Sequence, residues 1–173
     1  AVAAGAASES AATVVEIAKH LRNPARSAAE TVEALHSGAD LIYQATFLDG
    51  DLVGHADFLR KVPRPSALGD YSYEVIDTKL GRKPKASYVL QLAFYGDLLA
   101  KVQQLDPHAM HVVLGTREQV TFTCNEYSRY FRPLKKRYGE YVVISDETYK
   151  HPKDLFAEYD AEVVVSIRWR GGA

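Results

Sequence analysis

A helix that is apolar around most of its circumference is the sequence feature that most restricts the fold. The segment from Ala86 to about Leu105 places apolar side chains on nearly every side of such a helix: Val89, Leu90, Leu92, Ala93, Phe94, Leu98, Leu99 and Val102. A helix with this distribution must bury most of its surface. We therefore expect it to pack against a β-sheet, and its few polar positions require an explanation.

Three strands are predicted ahead of this helix, and the first two form a hairpin. Segments 41–48 and 52–62 flank Asp49-Gly50, a pair typical of a type I′ turn because glycine tolerates a positive φ. Further elements are predicted from shorter patterns: strands over 13–17, 72–80, 110–115 and 119–124, and helices over 25–35 and from 125 to about 141. The order predicts a single α/β domain with a central mixed sheet of at least four strands, three of them contiguous.

Composition excludes several classes of protein. At 173 residues, 47% hydrophobic and 25% charged, the chain has the size and balance of one soluble domain. Its single cysteine, Cys124, excludes an internal disulfide and a four-cysteine iron–sulfur cluster, and favours a reduced, cytoplasmic compartment. No apolar run reaches 18 residues, so no membrane association is expected. The net charge of −1 means that any nucleic-acid-binding surface must come from local clusters of basic residues.

The domain organisation suggests a piece of a longer polypeptide. Residues 1–24 are predicted to be a linker or the remnant of a truncated N-terminal region, because their start is rich in small and polar residues. Residues 25–145 form the predicted core, and residues 146–173 form a C-terminal extension, possessing one strand-like segment, to which no role is assigned. Further domains of the same polypeptide are therefore expected partners.

Three polar pairs fall on three consecutive elements of this predicted core: Gly54-x-x-Asp57, Asp77-x-Lys79 and Gln91-x-x-x-Tyr95. Residues two apart on a strand, or four apart on a helix, share a face. Gly54 would let its strand bulge or let another part of the backbone come close. Each pair alone is more often an ordinary polar face or a hydrogen-bonded edge of a buried helix. Together they would mean repeated burial of polar groups without benefit unless they form a site.

The chemistry of these pairs suits metal-dependent hydrolysis. If the second and third strands pair, Asp57 and Asp77 can converge on a hard divalent cation, which prefers oxygen ligands. Lys79 could then orient or deprotonate an attacking water, or neutralise charge in the transition state.

The order G-x-x-D, D-x-K, Q-x-x-x-Y resembles the signature of the RecB-type nucleases of the PD-(D/E)XK superfamily. The wider text "IYQATFLDGDLVGHADFL", "YEVIDTKLGRKPKASYVLQLAFYGDLL" and "HVVLG" is similar to a bacterial RecB-family branch found as a domain of larger proteins, over about residues 31–141. The resemblance implies a restriction-endonuclease-like core, with a mixed sheet flanked by helices. It also implies DNA as substrate and hydrolysis of phosphodiesters with Mg²⁺ or Mn²⁺.

The resemblance assigns roles residue by residue. Asp57 and Asp77 match the metal-binding acids, and Lys79 matches the catalytic lysine. The main-chain carbonyl of Thr78 would be a further metal ligand. Gln91 and Tyr95 match the motif that positions DNA and supports the site.

Two departures from the family pattern bear on activity. Related enzymes carry a histidine, often beside a glutamate, on a helix upstream of the first core strand, and no His-Glu pair occurs here. His20 is the nearer candidate for this ligand and His36 the weaker one, although an ordinary surface or capping role is more frequent for both. Some relatives bind an iron–sulfur cluster through four cysteines, which this sequence lacks.

Basic residues cluster beside the predicted site. Lys79, Arg82, Lys83 and Lys85 fall within seven residues, which favours contact with phosphates, although a solvated loop explains the last three equally well. A second basic cluster between Arg129 and Arg137 is more simply a solvated helix face. The alternative to a nuclease is a nucleic-acid-binding or assembly module of nuclease ancestry, in which the catalytic site is incomplete.

Overall fold

The computed structural model describes residues 11–20, 23–50, 52–129 and 131–133. Its elements follow in chain order: β1 Val14–Glu16, α1 Pro24–Ser37, β2 Leu41–Asp49, β3 Leu52–Val62, β4 Ser72–Lys79, α2 Ala86–Gln103, β5 Ala109–Leu114 and β6 Gln119–Thr123. Residues 124–129 and 131–133 are helical. The rest of the helix predicted to reach residue 141, and the predicted C-terminal strand, lie outside the described residues.

The six strands form one mixed sheet in the order β1-β2-β3-β4-β5-β6. Strand β1 is parallel to β2 and β4 is parallel to β5, while the other neighbours are antiparallel. The predicted α/β class and mixed sheet are confirmed. The expected pairing of segments 52–62 and 72–79 is confirmed as well, since β3 and β4 are hydrogen-bonded neighbours.

Local chemistry sets the bounds of α1. The Asn23 side chain accepts a hydrogen bond from the backbone N–H of Arg26 at 3.2 Å, and Pro24 occupies the first turn, where its missing N–H costs nothing. Gly38 ends the helix in a left-handed conformation, with φ 71°. The predicted helix over 25–35 is therefore correct, and the structure extends it by one residue at its start and two at its end.

The β2–β3 hairpin has a turn shifted by one residue from the predicted one. Asp49 is paired with Leu52, so Asp49 belongs to β2 and Gly50 is the first residue after this strand. Gly50 has φ 58°, the positive value that favours glycine in such turns.

Part of the segment predicted to be a linker belongs to the sheet. Strand β1 pairs with β2, and Thr13 is tied to Asp40 by hydrogen bonds from its N–H and hydroxyl to the carboxylate, at 2.8 and 2.9 Å. Ile17, just after β1, is buried in the main core. A core boundary at residue 24 would thus remove an edge strand from the sheet.

The core lies between the sheet and the helices. Helix α2 packs mainly on β4 and also contacts β2, β3 and β5, whereas α1 packs on β2. Tyr73 of β4 connects the segment that follows α1 to the end of α2: its hydroxyl donates to the carbonyl of Ala39 at 2.7 Å, and its N–H donates to Gln103 Oε1 at 2.9 Å. The predicted packing of the apolar helix against the sheet is confirmed. None of the helices in the described ranges is long and apolar enough to span a membrane.

Candidate active site

The regular alternation of β2 and β3 breaks at one cross-strand position. In β3 the buried residues Gly54 and Ala56 are two apart, but the next core residue, Leu59, comes three residues later. Strand β2 shows the same spacing of three between its core residues Ile42 and Ala45. Since side chains alternate between faces with a period of two, both strands shift by one residue at the same place.

Asp57 stands at this shift, opposite Gln44. The ladder pairs Tyr43 with Phe58 and Ala45 with Ala56, which leaves Gln44 across from Asp57 without a ladder pair. Gln44 has φ 59°, a left-handed conformation that is rare for a residue other than glycine. Such strained backbone often accompanies functional sites, and this one adjoins the first predicted acid.

Asp57 is bound to β4 through its side chain. Its Oδ2 accepts hydrogen bonds from the N–H of Thr78 at 2.8 Å and from the hydroxyl of Thr78 at 2.5 Å. The last pair of the β3–β4 ladder is Phe58 with Ile76, the residues next to Asp57 and Asp77. The carboxylate therefore supplies the acceptor for a backbone N–H at the point where the two strands stop pairing, and this fixes Asp57 beside Asp77-Thr78.

Asp77 is a buried carboxylate with an incomplete set of partners. Its side chain is 4% exposed, and Lys79 Nζ lies 2.6 Å from Oδ2. That contact lies outside the angles of a hydrogen bond, so Oδ2 is buried without a hydrogen-bond donor among the described residues. Burial raises the pKa of Asp77, the attraction of Lys79 lowers it, and the charge of Asp57 raises it, with a net increase. Burial outweighs the repulsion between the two carboxylates as the cause of this increase.

A continuous chain of contacts leads from Asp77 into α2. Lys79 Nζ also donates to Gln91 Oε1 at 2.8 Å, and Gln91 Nε2 donates to the hydroxyl of Tyr95 at 2.6 Å. Gln91 and Tyr95 are one helical turn apart on the same face of α2, as predicted. This sequence of contacts holds the Lys79 ammonium against the buried carboxylate.

Gly54 provides the space that Tyr95 needs. A Cβ atom at Gly54 would lie 3.1 Å from Cδ1 and Cε1 of Tyr95 and 3.0 Å from Cδ1 of Leu98. The missing side chain of Gly54 thus leaves room for side chains of α2, rather than for another part of the backbone as the sequence also allowed. Burial raises the pKa of Tyr95 to about 12, so its hydroxyl stays protonated near neutral pH.

Tyr88 is a site residue that sequence reasoning missed. Lys79 Nζ lies 5.5 Å from the centroid of its ring, within the range of a cation–π contact, and Lys85 Nζ lies 6.0 Å from it. Tyr88 precedes Gln91 by three residues on α2, so helical spacing from the Gln91–Tyr95 pair could have indicated it.

The predicted basic residues lie on the loop between β4 and α2. Arg82, Lys83 and Lys85 are exposed, and Lys85 is the residue just before α2. Within the described ranges, none of the three forms an ion pair with an acidic residue. Their positive charge is thus available to an anionic ligand next to Lys79.

His20 is held by a glutamate from α1. Its Nε2 lies 3.0 Å from Glu30 Oε1, and Arg26 contacts the same oxygen at 3.1 Å. Glu30 is adjacent to His20 in space but ten residues away in sequence. Within the described part of the chain, no group of three or more His, Cys, Asp or Glu residues could hold a metal ion.

The donor set suits a hard divalent cation with much of its water retained. Magnesium is commonly bound by one or two carboxylates together with water and substrate phosphate. Asp57 and Asp77 supply two carboxylates from adjacent strands, and the buried Oδ2 of Asp77 has only the Lys79 ammonium, at 2.6 Å, as a close polar partner among the described residues. Two carboxylates placed in this way are a donor set that fits Mg²⁺ or Mn²⁺.

A second polar cluster links β3, β4, β5 and β6 away from these contacts. His111 Nε2 lies 2.9 Å from Glu74 Oε2 and 3.0 Å from Arg60, and its Nδ1 lies 2.9 Å from the Thr121 hydroxyl. Glu74 Oε1 also accepts from the N–H of Ala109 at 3.2 Å. The cluster satisfies buried polar groups by joining strands, which is a structural role.

Other residues singled out in the sequence have structural partners. In the second basic cluster Arg132 is bound to both oxygens of Asp106, at 2.8 and 3.0 Å, and residues 135–137 lie outside the described part. Cys124 is buried, and its sulfur lies 3.2 Å from where a Cβ of Gly96 would be. Burial raises the pKa of the Cys124 thiol to about 12, as expected for a structural cysteine and not for a reactive one.

No protein-family model matches this chain, and no curated protein sequence matches it.

Proposed function

We propose that the chain is a divalent-metal-dependent DNA nuclease domain of the RecB type, with the core of the PD-(D/E)XK superfamily. The observation that carries the proposal is the connected series of contacts from Asp57 through Thr78, and from Asp77 through Lys79 and Gln91 to Tyr95. These residues come from two strands and one helix, and they include every polar member of the three sequence pairs.

In this proposal Asp57 and Asp77 hold Mg²⁺ or Mn²⁺, with the main-chain carbonyl of Thr78 as a further ligand. A cation held there would polarise a phosphate and lower the pKa of a bound water. Lys79 places its ammonium beside Asp77, where it orients the attacking water or stabilises negative charge on the transferring phosphate. Gln91, Tyr95 and Tyr88 fix the position of that ammonium.

The exposed Arg82, Lys83 and Lys85 contact the phosphates of the DNA strand in this proposal. The chain would act as a domain of a larger, cytoplasmic DNA repair or processing protein. That His20 is a metal ligand stays a prediction. Its partner in the structure is Glu30.

The decisive experiment measures cleavage of single-stranded and duplex DNA with Mg²⁺, with Mn²⁺ and with EDTA. Asp57→Asn and Lys79→Met should each lose about a hundredfold or more of the activity while keeping the thermal midpoint within a few degrees. Matched controls are Asp70→Asn, an exposed aspartate before β4, and Lys101→Met, a lysine near the C-terminal end of α2. Cleavage that survives Asp57→Asn would refute the assignment.

The second candidate is a nucleic-acid-binding or assembly module of nuclease ancestry. It is favoured by one observation: the described residues place two acids at the site and no third His, Cys, Asp or Glu beside them. Calorimetric titration with Mn²⁺ separates the two candidates. A nuclease site should bind Mn²⁺, and Asp57→Asn should abolish that binding. A binding module should bind DNA equally well in Mn²⁺ and in EDTA and should not cut it.

A further inference from the structure

Leu80 is the most exposed large apolar side chain in the described part of the chain. It is 98% exposed, and the next, Val14, is 62% exposed. Burial of a leucine side chain stabilises a fold, so full exposure forgoes that stabilisation. Leu80 directly follows Lys79 and precedes the exposed basic residues Arg82 and Lys83.

The backbone that carries Leu80 is held on both sides. The N–H of Gly115 donates to the carbonyl of Gly81 at 3.1 Å, and a Cβ at Gly115 would lie 2.4 Å from the carbonyl oxygen of Leu80. A Cβ at Gly81 would lie 2.7 Å from the Tyr88 hydroxyl. Two glycines thus allow β5 and α2 to pack closely against residues 80–81, and Lys79 is fixed by Asp77 and Gln91.

This arrangement holds the exposed Leu80 side chain at a fixed position next to Lys79 in the chain. Leu80 lies in sequence between Lys79, whose ammonium is held beside Asp77, and the exposed Arg82 and Lys83. A DNA strand whose phosphates meet these cations would therefore pass beside Leu80. Apolar side chains backed by cations are used by DNA-binding proteins to enter between stacked bases.

We propose that Leu80 is a wedge that inserts against the bases beside the phosphate facing Lys79 and unstacks them. The inference rests on the proposed DNA substrate and extends it, because it assigns the site a preference for DNA whose bases are unpaired or readily unstacked. Arg82, Lys83 and Lys85 then supply affinity for the backbone, and Leu80 supplies the local opening.

The test uses the full chain with duplex oligonucleotides that carry 2-aminopurine at successive positions, whose fluorescence rises when the base is unstacked. Calcium replaces Mg²⁺, and gels verify that the bound DNA is intact. The variants are Leu80→Ala, the volume-conserving Leu80→Met, and the control Leu48→Ala, another exposed leucine, on β2. Thermal midpoints of all variants should match the wild type, since these side chains are exposed.

We expect bound wild-type protein, Leu80→Met and Leu48→Ala to raise the fluorescence at one or two positions, and Leu80→Ala to lose most of that rise at saturating protein. In Mg²⁺, Leu80→Ala should slow cleavage of duplex DNA about tenfold more than cleavage of single strands, because only the duplex has to be unstacked before it is cut. Equal fluorescence for Leu80→Ala and wild type on bound DNA would overturn the wedge and leave the nuclease proposal intact. Failure of the wild type to bind DNA would overturn both.

Discussion

Replacing Asp77 by asparagine should stabilise the metal-free protein and abolish its response to metal. Asparagine keeps the shape of the side chain, so no cavity forms, and it resembles the protonated acid. The pKa of Asp77 is raised by burial and by Asp57, even after the attraction of Lys79 is included. Ionised Asp77 therefore costs stability at neutral pH, at about 1.4 kcal/mol for each pKa unit of the increase.

The opposing effect is the loss of a partner for Lys79, which can cost several kcal/mol when the remaining charge is fully buried. Here the Lys79 side chain is 21% exposed and keeps Gln91 Oε1 at 2.8 Å and the Tyr88 ring. We therefore expect a net gain in stability at pH 7 for Asp77→Asn in EDTA, and each kcal/mol of gain would raise the thermal midpoint by roughly 3 °C for a chain of this size.

The sign of the pH dependence follows from the raised pKa. The penalty of wild-type Asp77 is absent below the pKa of 3.8 that the carboxyl has in an unfolded chain, and it is fully present above the raised pKa in the folded state. The advantage of Asp77→Asn should accordingly be largest at pH 7 and fall as the pH is lowered through that range. Urea unfolding between pH 4 and pH 7 measures this difference directly.

Metal should reverse the order of stability. Cation at a hundredfold its dissociation constant adds about 2.7 kcal/mol to a protein that binds it only when folded, so wild type should rise above Asp77→Asn when Mn²⁺ is added. A variant less stable than wild type in EDTA would show that the Asp77–Lys79 pair is net stabilising. Equal stabilisation of both proteins by Mn²⁺ would place the metal elsewhere.

Three further predictions concern packing, pH and the thiol. Gly54→Ala should lower the free energy of unfolding in urea by about 1–3 kcal/mol, because the new Cβ would press on the Tyr95 ring. An unchanged unfolding midpoint would show that α2 moves to make room for the Cβ at no cost. Burial opposes ionisation of Glu74, but His111, the Ala109 N–H and a nearby arginine hold its pKa below the usual value. The stability that ionised Glu74 contributes should be lost as the pH falls through that lowered pKa. The free energy of unfolding should therefore fall less steeply at acid pH in Glu74→Gln than in the wild type, and the same slope in both proteins would contradict this. Cys124 should resist a thiol reagent at pH 8 until urea unfolds the chain, since its thiol pKa is raised to about 12, and rapid labelling of native protein would refute its burial.

The elements with strong local signals could be predicted from the sequence. Helix α1 has a capping asparagine and a terminal glycine, and the β2–β3 hairpin has a glycine where φ is positive. The contacts within Asp77-x-Lys79 and within Gln91-x-x-x-Tyr95 also followed from spacing alone, because each pair lies on one element. Such features depend on residues close in sequence, where the periods of helix and strand fix the geometry.

The pairing of β3 with β4 was predicted, but features that depend on the exact register and ends of distant pairs could not be predicted. The hydrogen bonds from Thr78 to Asp57 join residues 21 apart and require the ladder between β3 and β4 to end at a particular residue. The partner of His20 is ten residues away on α1, and the partners of Glu74 lie on other strands. The turn was displaced by one residue because cross-strand register, rather than the Asp-Gly pair, assigns Asp49 to a strand.

The shift in alternation explains why a glycine and an aspartate three residues apart can serve one site. In a regular strand, residues with an odd separation point to opposite faces, so Gly54 and Asp57 would be divided by the sheet. Because the core spacing lengthens to three residues at Gln44 and Asp57, Gly54 meets Tyr95 of α2 while Asp57 reaches the Thr78 N–H. The left-handed backbone of Gln44, which costs of order 1–3 kcal/mol, is the local cost of this arrangement. The buried neighbours Ile42, Ala45 and Leu59 fix both strands on either side, and so they maintain the irregularity that places the first acid beside the second.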